Sequence, residues 1–340
     1  MVMSKSRHAI AATGAAAALM LTAACGAVTA GDDNGGDDGD GFQIAPYIQE
    51  AIDNGDELEI RLSYHDPSLA FAVPIREGME SAAAELGVSA SMIGPSGGAA
   101  ADQVSELQSL INQKAIHGLA VSSASNDALK PVIKEAYDAG IPIVSFNTNN
   151  PESEQMGFIG QDLVASGESL AEELLSVLDG ETGKVVVFSV DAGAGWSNDR
   201  FSGFESALAD SDLEIVGPVN TGNEPSQAYN TVESTMGGQS DAVALVSLDC
   251  CSFTAFGQWI KQSGNAGEIH GLGFDVQPKT VEYVKDGVVD LTISQAPTEQ
   301  GYQAVKVLVD FLKDGTPIDD VDTGVLVVDL ENIDDVPVEG

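Results

Sequence analysis

The stretch GLAVSSASNDALKPVIKEAYDAGIPIVSF, residues 118–146, decides the fold. It opens on a short apolar run at 118–122, passes through a helical pattern at 128–139, and closes on a second apolar run at 141–146. Gly140 sits where the helical pattern ends. Glycine there takes the left-handed conformation that closes a helix without a Cβ penalty, so it reads as a stop. Apolar runs with no polar alternation are strands buried on both faces, the condition of a parallel sheet covered by helices. The unit is therefore β-α-β.

The same rhythm extends outward on both sides. Before it come a strand at 58–63, a helix at 74–86 stopped by Gly87, a strand at 89–93 and a helix at 101–113. After it the pattern restarts with helices expected at 165–178, 202–209, 227–236, 253–263, 279–285 and 298–313. Strands are expected between them at 184–190, 214–219, 242–248, 269–274 and 290–295. Two α/β units of similar plan are implied, and in such sheets ligands bind beyond the carboxyl ends of the strands.

Ahead of this region the chain carries a different signal. Lys5 and Arg7 precede an apolar run at 9–20, which is followed by Leu21-Thr22-Ala23-Ala24-Cys25. The run is shorter than the roughly 20 residues a membrane span needs, so it reads as a cleaved export signal. Its end resembles a bacterial lipoprotein lipobox, which implies that Cys25 carries acyl chains as a membrane anchor; an ordinary secretory peptide is the alternative. The Gly/Asp-rich segment 31–41 that follows has the composition of a solvated tether.

Across 340 residues, 14 Lys and Arg stand against 53 Asp and Glu, a formal charge of −39. No basic stripe interrupts the acidity, which excludes nucleic acid as a partner. A charge spread along the whole chain points to a general solvation strategy, such as life in high salt. Beyond Cys25 the only cysteines are the adjacent Cys250 and Cys251, so no disulfide framework holds the fold. A vicinal disulfide would be strained, since neighbouring Cα atoms lie about 3.8 Å apart, and two free thiols are the plainer reading.

Residues just after the strands form a consistent set: 63–67 with His65 and Asp66, Asn147 and Thr148, 194–200 with Trp196, Asn198 and Arg200, then Asp249, Asp275 and Gln295. Amides and carboxylates exchange hydrogen bonds with vicinal hydroxyls, while Trp196 or Phe71 offers a flat face for the C–H side of a sugar ring. A sugar or polyol suits such a site. Asp249 and Asp275 are also well placed simply to cap the next helix.

Several segments, in order and at the right spacing, carry a family likeness. They are Glu77-Gly78-Met79-Glu80, residues 108–114, residues 139–144, Gly160-Gln161-Asp162, residues 198–204, Gly273-Phe274-Asp275 and Thr292-Ile293-Ser294-Gln295. Over residues 57 to 330 the chain resembles the bacterial extracytoplasmic sugar-binding proteins of ABC importers, the ribose-binding type, which share a two-lobed fold with LacI-type repressors. The resemblance implies an α/β fold of two doubly wound parallel-sheet lobes joined by a hinge, the type I periplasmic binding protein. The expected organisation is a signal peptide at 1–24, a lipidated Cys25 and tether over 25–56, a first lobe of 57–160 plus 296–325, a second lobe of 161–295, and a terminal segment of 326–340.

By matching position, the resemblance makes Asp275 and Gln295 ligand contacts unchanged from the family. Asn147 and Thr148 stand where ribose-type proteins have an aspartate and an arginine, Asn198 replaces another arginine, and Asp249 an asparagine. Phe71 matches a stacking aromatic, and His65 and Asp66 lie in the same loop. Loss of both arginines argues against ribose itself, because Thr or Asn cannot imitate a guanidinium fork. Arg200 is expected as a structural ion pair and Gln161 as a hinge residue.

The implied function is capture of a neutral monosaccharide or polyol and its delivery to a membrane permease and ATPase, by a monomer held outside the cytoplasm. The alternative is a receptor that presents the ligand to a membrane kinase or chemoreceptor. No enzyme, cofactor or metal is expected: there is no Gly-x-Ser-x-Gly elbow, Gly94-Pro95-Ser96-Gly97-Gly98 lacks the Lys-Ser/Thr of a phosphate cradle, and Cys250-Cys251 lacks a Cys-x-x-Cys partner.

Overall fold

The computed structural model describes residues 41–69 and 71–339, so the export signal, Cys25 and most of the Gly/Asp-rich segment lie outside the described residues. The strands expected from apolar runs assemble into two separate sheets, together with three short strands that were not expected, at Phe158–Gly160, Val321–Asp322 and Leu326–Asp329. The first contains β1 (Glu59–Ser63), β2 (Ser89–Ile93), β3 (Gly118–Val121), β4 (Ile143–Phe146), β5 (Phe158–Gly160) and, from far along the chain, β11 (Val321–Asp322). Their order is β11-β5-β4-β3-β1-β2, parallel throughout. The second contains β6 (Lys184–Ser189), β7 (Glu214–Asn220), β8 (Ala242–Ser247), β9 (His270–Phe274), β10 (Leu291–Ser294) and β12 (Leu326–Asp329). Its order is β12-β10-β9-β8-β6-β7, and β12 alone runs antiparallel.

Helices cover both sheets: α1 (Pro46–Asn54), α2 (Ala72–Leu86), α3 (Ala100–Gln113) and α4 (Asn126–Asp138) on the first, and α5 (Leu163–Leu178), α6 (Gly195–Ala207), α7 (Pro225–Met236), α8 (Cys250–Ser263) and α9 (Pro278–Lys285) on the second. The long α10 (Pro297–Asp314) returns to the first sheet and packs along α2. Because β3 and β4 are bounded by helices on each face, every residue of both strands is buried. Winding reverses between β1 and β3 in one sheet and between β6 and β8 in the other, and these reversal points open the crevices where α/β sheets bind ligands.

The chain passes between lobes three times, at 161–162, 295–296 and 323–325, where the two expected crossovers gain a third. Two further segments differ from expectation. Residues 42–54, placed in the tether, dock on the first lobe: α1 buries Ile48 and Ala51, and Phe42 packs against Tyr137 and Phe311 with ring centroids 5.0 and 5.8 Å away. Gly140 receives this segment, its carbonyl accepting from the Ala45 amide at 2.9 Å, and a Cβ there would come within 2.5 Å of the Gln43 carbonyl. Residues 326–339, expected as a separate terminal segment, supply β12 and then return to the ends of β9 and β10.

Candidate functional site

On the first lobe the site grows from the ends of β1, β3 and β4. Tyr64 continues β1, is buried, and stacks on His65 at 4.2 Å between ring centroids. Ser122, just past β3, gathers the neighbours: its hydroxyl lies 2.9 Å from His65 Nδ1 and donates toward Asn147 Oδ1 or Thr148 Oγ1, each at 3.3 Å. The single hydroxyl proton can serve only one acceptor, so the set is satisfied when His65 carries its proton on Nδ1. Burial pushes His65 down to about 4, against the pull of Asp66, and the ring is neutral near pH 7. Buried Gln103 braces this wall from behind, donating to Ser63 Oγ at 3.0 Å and the Ser122 carbonyl at 2.9 Å.

On the second lobe the site grows from β8, β9 and the start of α8. Asp249 caps α8: Oδ1 accepts from the Cys251 and Ser252 amides at 2.8 and 2.9 Å, and Oδ2 from the Val190 amide at 2.9 Å and Ser252 Oγ at 2.8 Å. All four acceptor positions are used, so Asp249 ties the end of β6 to α8, as the capping reading expects. Asp275 follows β9 with φ +74 and is buried. Its carboxyl is pushed up to about 6 by burial, partly offset by Arg200 and by the hydrogen bond from Gln295.

Arg200 is buried beneath this pair. It forms no salt bridge among the described residues, unlike the structural ion pair expected; a guanidinium nitrogen donates to the Leu248 carbonyl at 2.7 Å, another to Gln161 Oε1 at 3.0 Å, and the plane lies 3.9 Å from the Phe274 ring centroid. Burial lowers its pKa while Asp275 and Asp249 oppose the shift. With Arg200 occupied in this way, the ends of the second sheet present carboxylates and amides.

The crossovers join the two walls. Gln295 Nε2 donates to Asp275 Oδ1 at 2.6 Å, Gln300 Nε2 donates to the Gln295 carbonyl at 3.0 Å, and Asn147 Nδ2 donates to Gln300 Oε1 at 3.1 Å. A continuous hydrogen-bonded path thus runs from Asp275 through the hinge to Asn147, Ser122 and His65. Gln161 sits at another crossover, donating to the Gly324 carbonyl at 3.1 Å and to the Ser294 carbonyl at 3.4 Å. Buried Glu339 accepts from the Val276 amide at 3.0 Å and from Ser294 Oγ, holding the residues next to Asp275 and Gln295. Burial, with Asp275 adding repulsion, pushes Glu339 up to about 7.

The structure therefore brings together Asp275, Gln295, Asn147, Thr148 and His65 from the sequence-derived set. Asn198 and Trp196 fall in the first turn of α6, not in a loop; Asn198 is exposed and its side chain bonds the Gly193 carbonyl at 3.4 Å, while Trp196 is half-buried against the apolar residues under α5 and α6. Asp66 accepts from the Ser68 amide and hydroxyl at 3.1 and 2.6 Å, and Phe71 packs at the start of α2. Ser122, Gln300 and Glu339 were not in that set, and Tyr64 falls within its 63–67 stretch without being singled out. Ser122 and Tyr64 follow strands and were open to the same rule; Gln300 lies inside a helix and Glu339 far from any predicted strand, so neither carried a sequence signal. Donor atoms of Asp249, Cys250 and Cys251 lie within 4.8 Å of one another, but both Asp249 oxygens are already engaged.

The profile of the periplasmic binding protein domain matches residues 60–317. The xylose/arabinose-binding protein of Sulfolobus acidocaldarius is 27% identical over 287 residues, covering 79% of this chain and 70% of its own. Among solved structures, an ABC transporter solute-binding protein from Agrobacterium vitis with bound D-fucose superimposes with a TM-score of 0.75 at 29% identity, over 81% of this chain and 97% of that one. A solute-binding protein from Burkholderia graminis in complex with D-arabinose gives a TM-score of 0.76 at 24% identity, over 81% and 96% of the respective chains.

Proposed function

The chain belongs to the periplasmic binding protein family, and from that premise we propose that it is the substrate-binding component of an ABC transporter for a neutral monosaccharide or polyol. The family works outside the cytoplasm. The observation that carries the ligand class is the hydrogen-bonded path linking Asp275, Gln295, Gln300, Asn147, Ser122 and His65 across the hinge. Asp275 accepts hydroxyl protons, the amides accept and donate, and neutral His65, its proton on Nδ1 engaged with Ser122, accepts at Nε2, which is the inventory a ring of vicinal hydroxyls needs. Among the described residues the one cation of this site, Arg200, is buried and bonded to protein, so an anionic sugar finds two carboxylates and no free counter-charge there.

Closure follows from the same path. Each wall ends a different sheet, and a sugar that bonds both favours the closed arrangement only by its extra affinity for that state. The hinge segments at 161–162, 295–296 and 323–325 absorb the rotation. The closed form then docks on a permease with its ATPase. Cys25, once acylated, holds the monomer at the membrane, each buried methylene contributing about 0.8 kcal/mol.

Thermal melting against neutral pentoses, hexoses, deoxysugars and polyols tests the assignment. A ligand at about 1,000 times its Kd adds about 4 kcal/mol, a shift of several degrees. One neutral sugar raising the Tm of the native chain but not of a folded Asp275→Ala variant is the expected result. Silence across the panel, or a strong shift from a sugar phosphate alone, sinks it.

A further inference from the structure

We infer that Cys250 and Cys251 form a redox-active dithiol, a modification site beside the ligand wall, whose oxidation to a vicinal disulfide weakens sugar binding. Both thiols are free, and their Sγ atoms lie 3.0 Å apart. Adjacent helix residues normally point about 100° apart, so this closeness requires the two side chains to turn toward one another. Cys251 is exposed and Cys250 half-buried behind it, which gives one sulfur to attack from solvent and one to resolve. The described residues contain no other cysteine to compete. The compartment in which this family works favours disulfides.

The reaction needs an oxidant, and an external low-molecular-weight or protein disulfide supplies it. Cys251 as thiolate attacks one sulfur of that disulfide and expels the other as a thiol, leaving a mixed disulfide. Cys250 then gives up its proton, attacks the Cys251 sulfur and expels the second thiol. One dithiol and one external disulfide become one internal disulfide and two thiols.

The consequence for the site follows from geometry. A disulfide draws sulfurs to about 2.05 Å and its usual Cα separation begins near 4.4 Å, whereas Cα atoms across one trans peptide are about 3.8 Å apart. The Cys250–Cys251 peptide therefore cannot keep its helical conformation once the bond forms. That peptide is the first turn of α8, where the Cys251 and Ser252 amides hold Asp249 and the Cys250 amide favours the charged form of Asp275. Distorting the turn loosens Asp249, which also anchors Val190 at the end of β6, and removes support from Asp275. The effect on affinity rests on Asp275 being a ligand contact, as proposed above.

The test uses the full chain with Cys25→Ser, treated with one equivalent of 4,4′-dithiodipyridine and read by peptide mass. The expected product is the peptide containing residues 250–251 lighter by two hydrogens, without a pyridyl adduct. The affinity of the oxidised protein for the sugar found by melting falls roughly tenfold or more, the worth of one charge-assisted hydrogen bond, and returns on reduction. Cys251→Ser binds like the reduced protein and does not respond. Stable pyridyl adducts without closure, or an internal disulfide with unchanged affinity, overturn the inference. Reduced protein that binds no sugar overturns the sugar reading instead, while the mass result still decides the dithiol.

Discussion

Asp275 and Glu339 show how burial gives single residues a pH dependence. Both carboxyls sit above their unfolded values, Asp275 at about 6 and Glu339 at about 7, so the native state holds protons that the unfolded chain has released. Stability from these two groups is greatest near pH 4 and falls as pH rises toward 7. His65 has the opposite sign: lowered to about 4, it costs stability as pH falls below its unfolded value. Glu339→Gln keeps one acceptor for the Val276 amide and offers an amide donor to Ser294 Oγ, which then turns from donor to acceptor, imitating the protonated acid. It is expected to raise stability at pH 8 by an amount on the order of 2 kcal/mol, with the gain gone at pH 4.5, read from denaturant melts. Binding is expected to weaken as pH falls below about 6, where Asp275 gains a proton and loses acceptor capacity; isothermal titration between pH 5 and 8 checks this, and an unchanged Kd argues against Asp275 as the contact. At this scale the sequence was legible where a residue ends a strand. Gln300 and Glu339 reach the site only through folding, since one is a helix residue and the other lies 64 positions from Asp275.

Among the elements, two helix crossings set the lobes. In α5 and α6 a Cβ on Gly167 would sit 2.0 Å from the Arg200 carbonyl, and one on Gly203 2.0 Å from that of Val164. The pair α2 and α10 repeats the device through Gly78 and Gly301. Gly203→Ala is therefore expected to cost about 2–4 kcal/mol, since backbone and not a pliable side chain must move. Arg200→Ala, on the same helix, leaves Gln161 Oε1 and the Leu248 carbonyl unpaired in the interior, and a loss of similar size, about 2–4 kcal/mol, is expected in urea unfolding. The start of α6 illustrates the limit of periodicity. Its buried face is Ser197, Arg200, Gly203 and Phe204, which shows no apolar stripe, so the hydrophobic period places the helix start at 202, beyond Trp196 and Asn198. Helix α1 was missed because only Ile48 and Ala51 of it are buried.

For the whole molecule, charge and the two-lobed plan govern behaviour. With a formal charge of −39 the surface repels itself, and screening shortens from about 8 Å at physiological salt to about 3 Å at 1 M. The Tm is expected to rise steadily between 0.1 and 2 M KCl, and a Tm that falls over that range would contradict salt adaptation. Cys25→Ser is expected to move the protein from the membrane to the soluble fraction of its host; unchanged partition removes the anchor. The sequence by itself determined the α/β class, the number of units and the ends of β1 to β4 and β6 to β10, because apolar runs and stop glycines are local signals that report burial directly. Only tertiary structure decided the strand order within each sheet, the addition of β5, β11 and β12, and that 42–54 and 326–339 belong to the lobes. It also set Asp249 to capping while joining Asp275 to Asn147 through Gln295 and Gln300. Those outcomes depend on contacts between residues tens to hundreds of positions apart, whose energies have no signature in any short window of the chain.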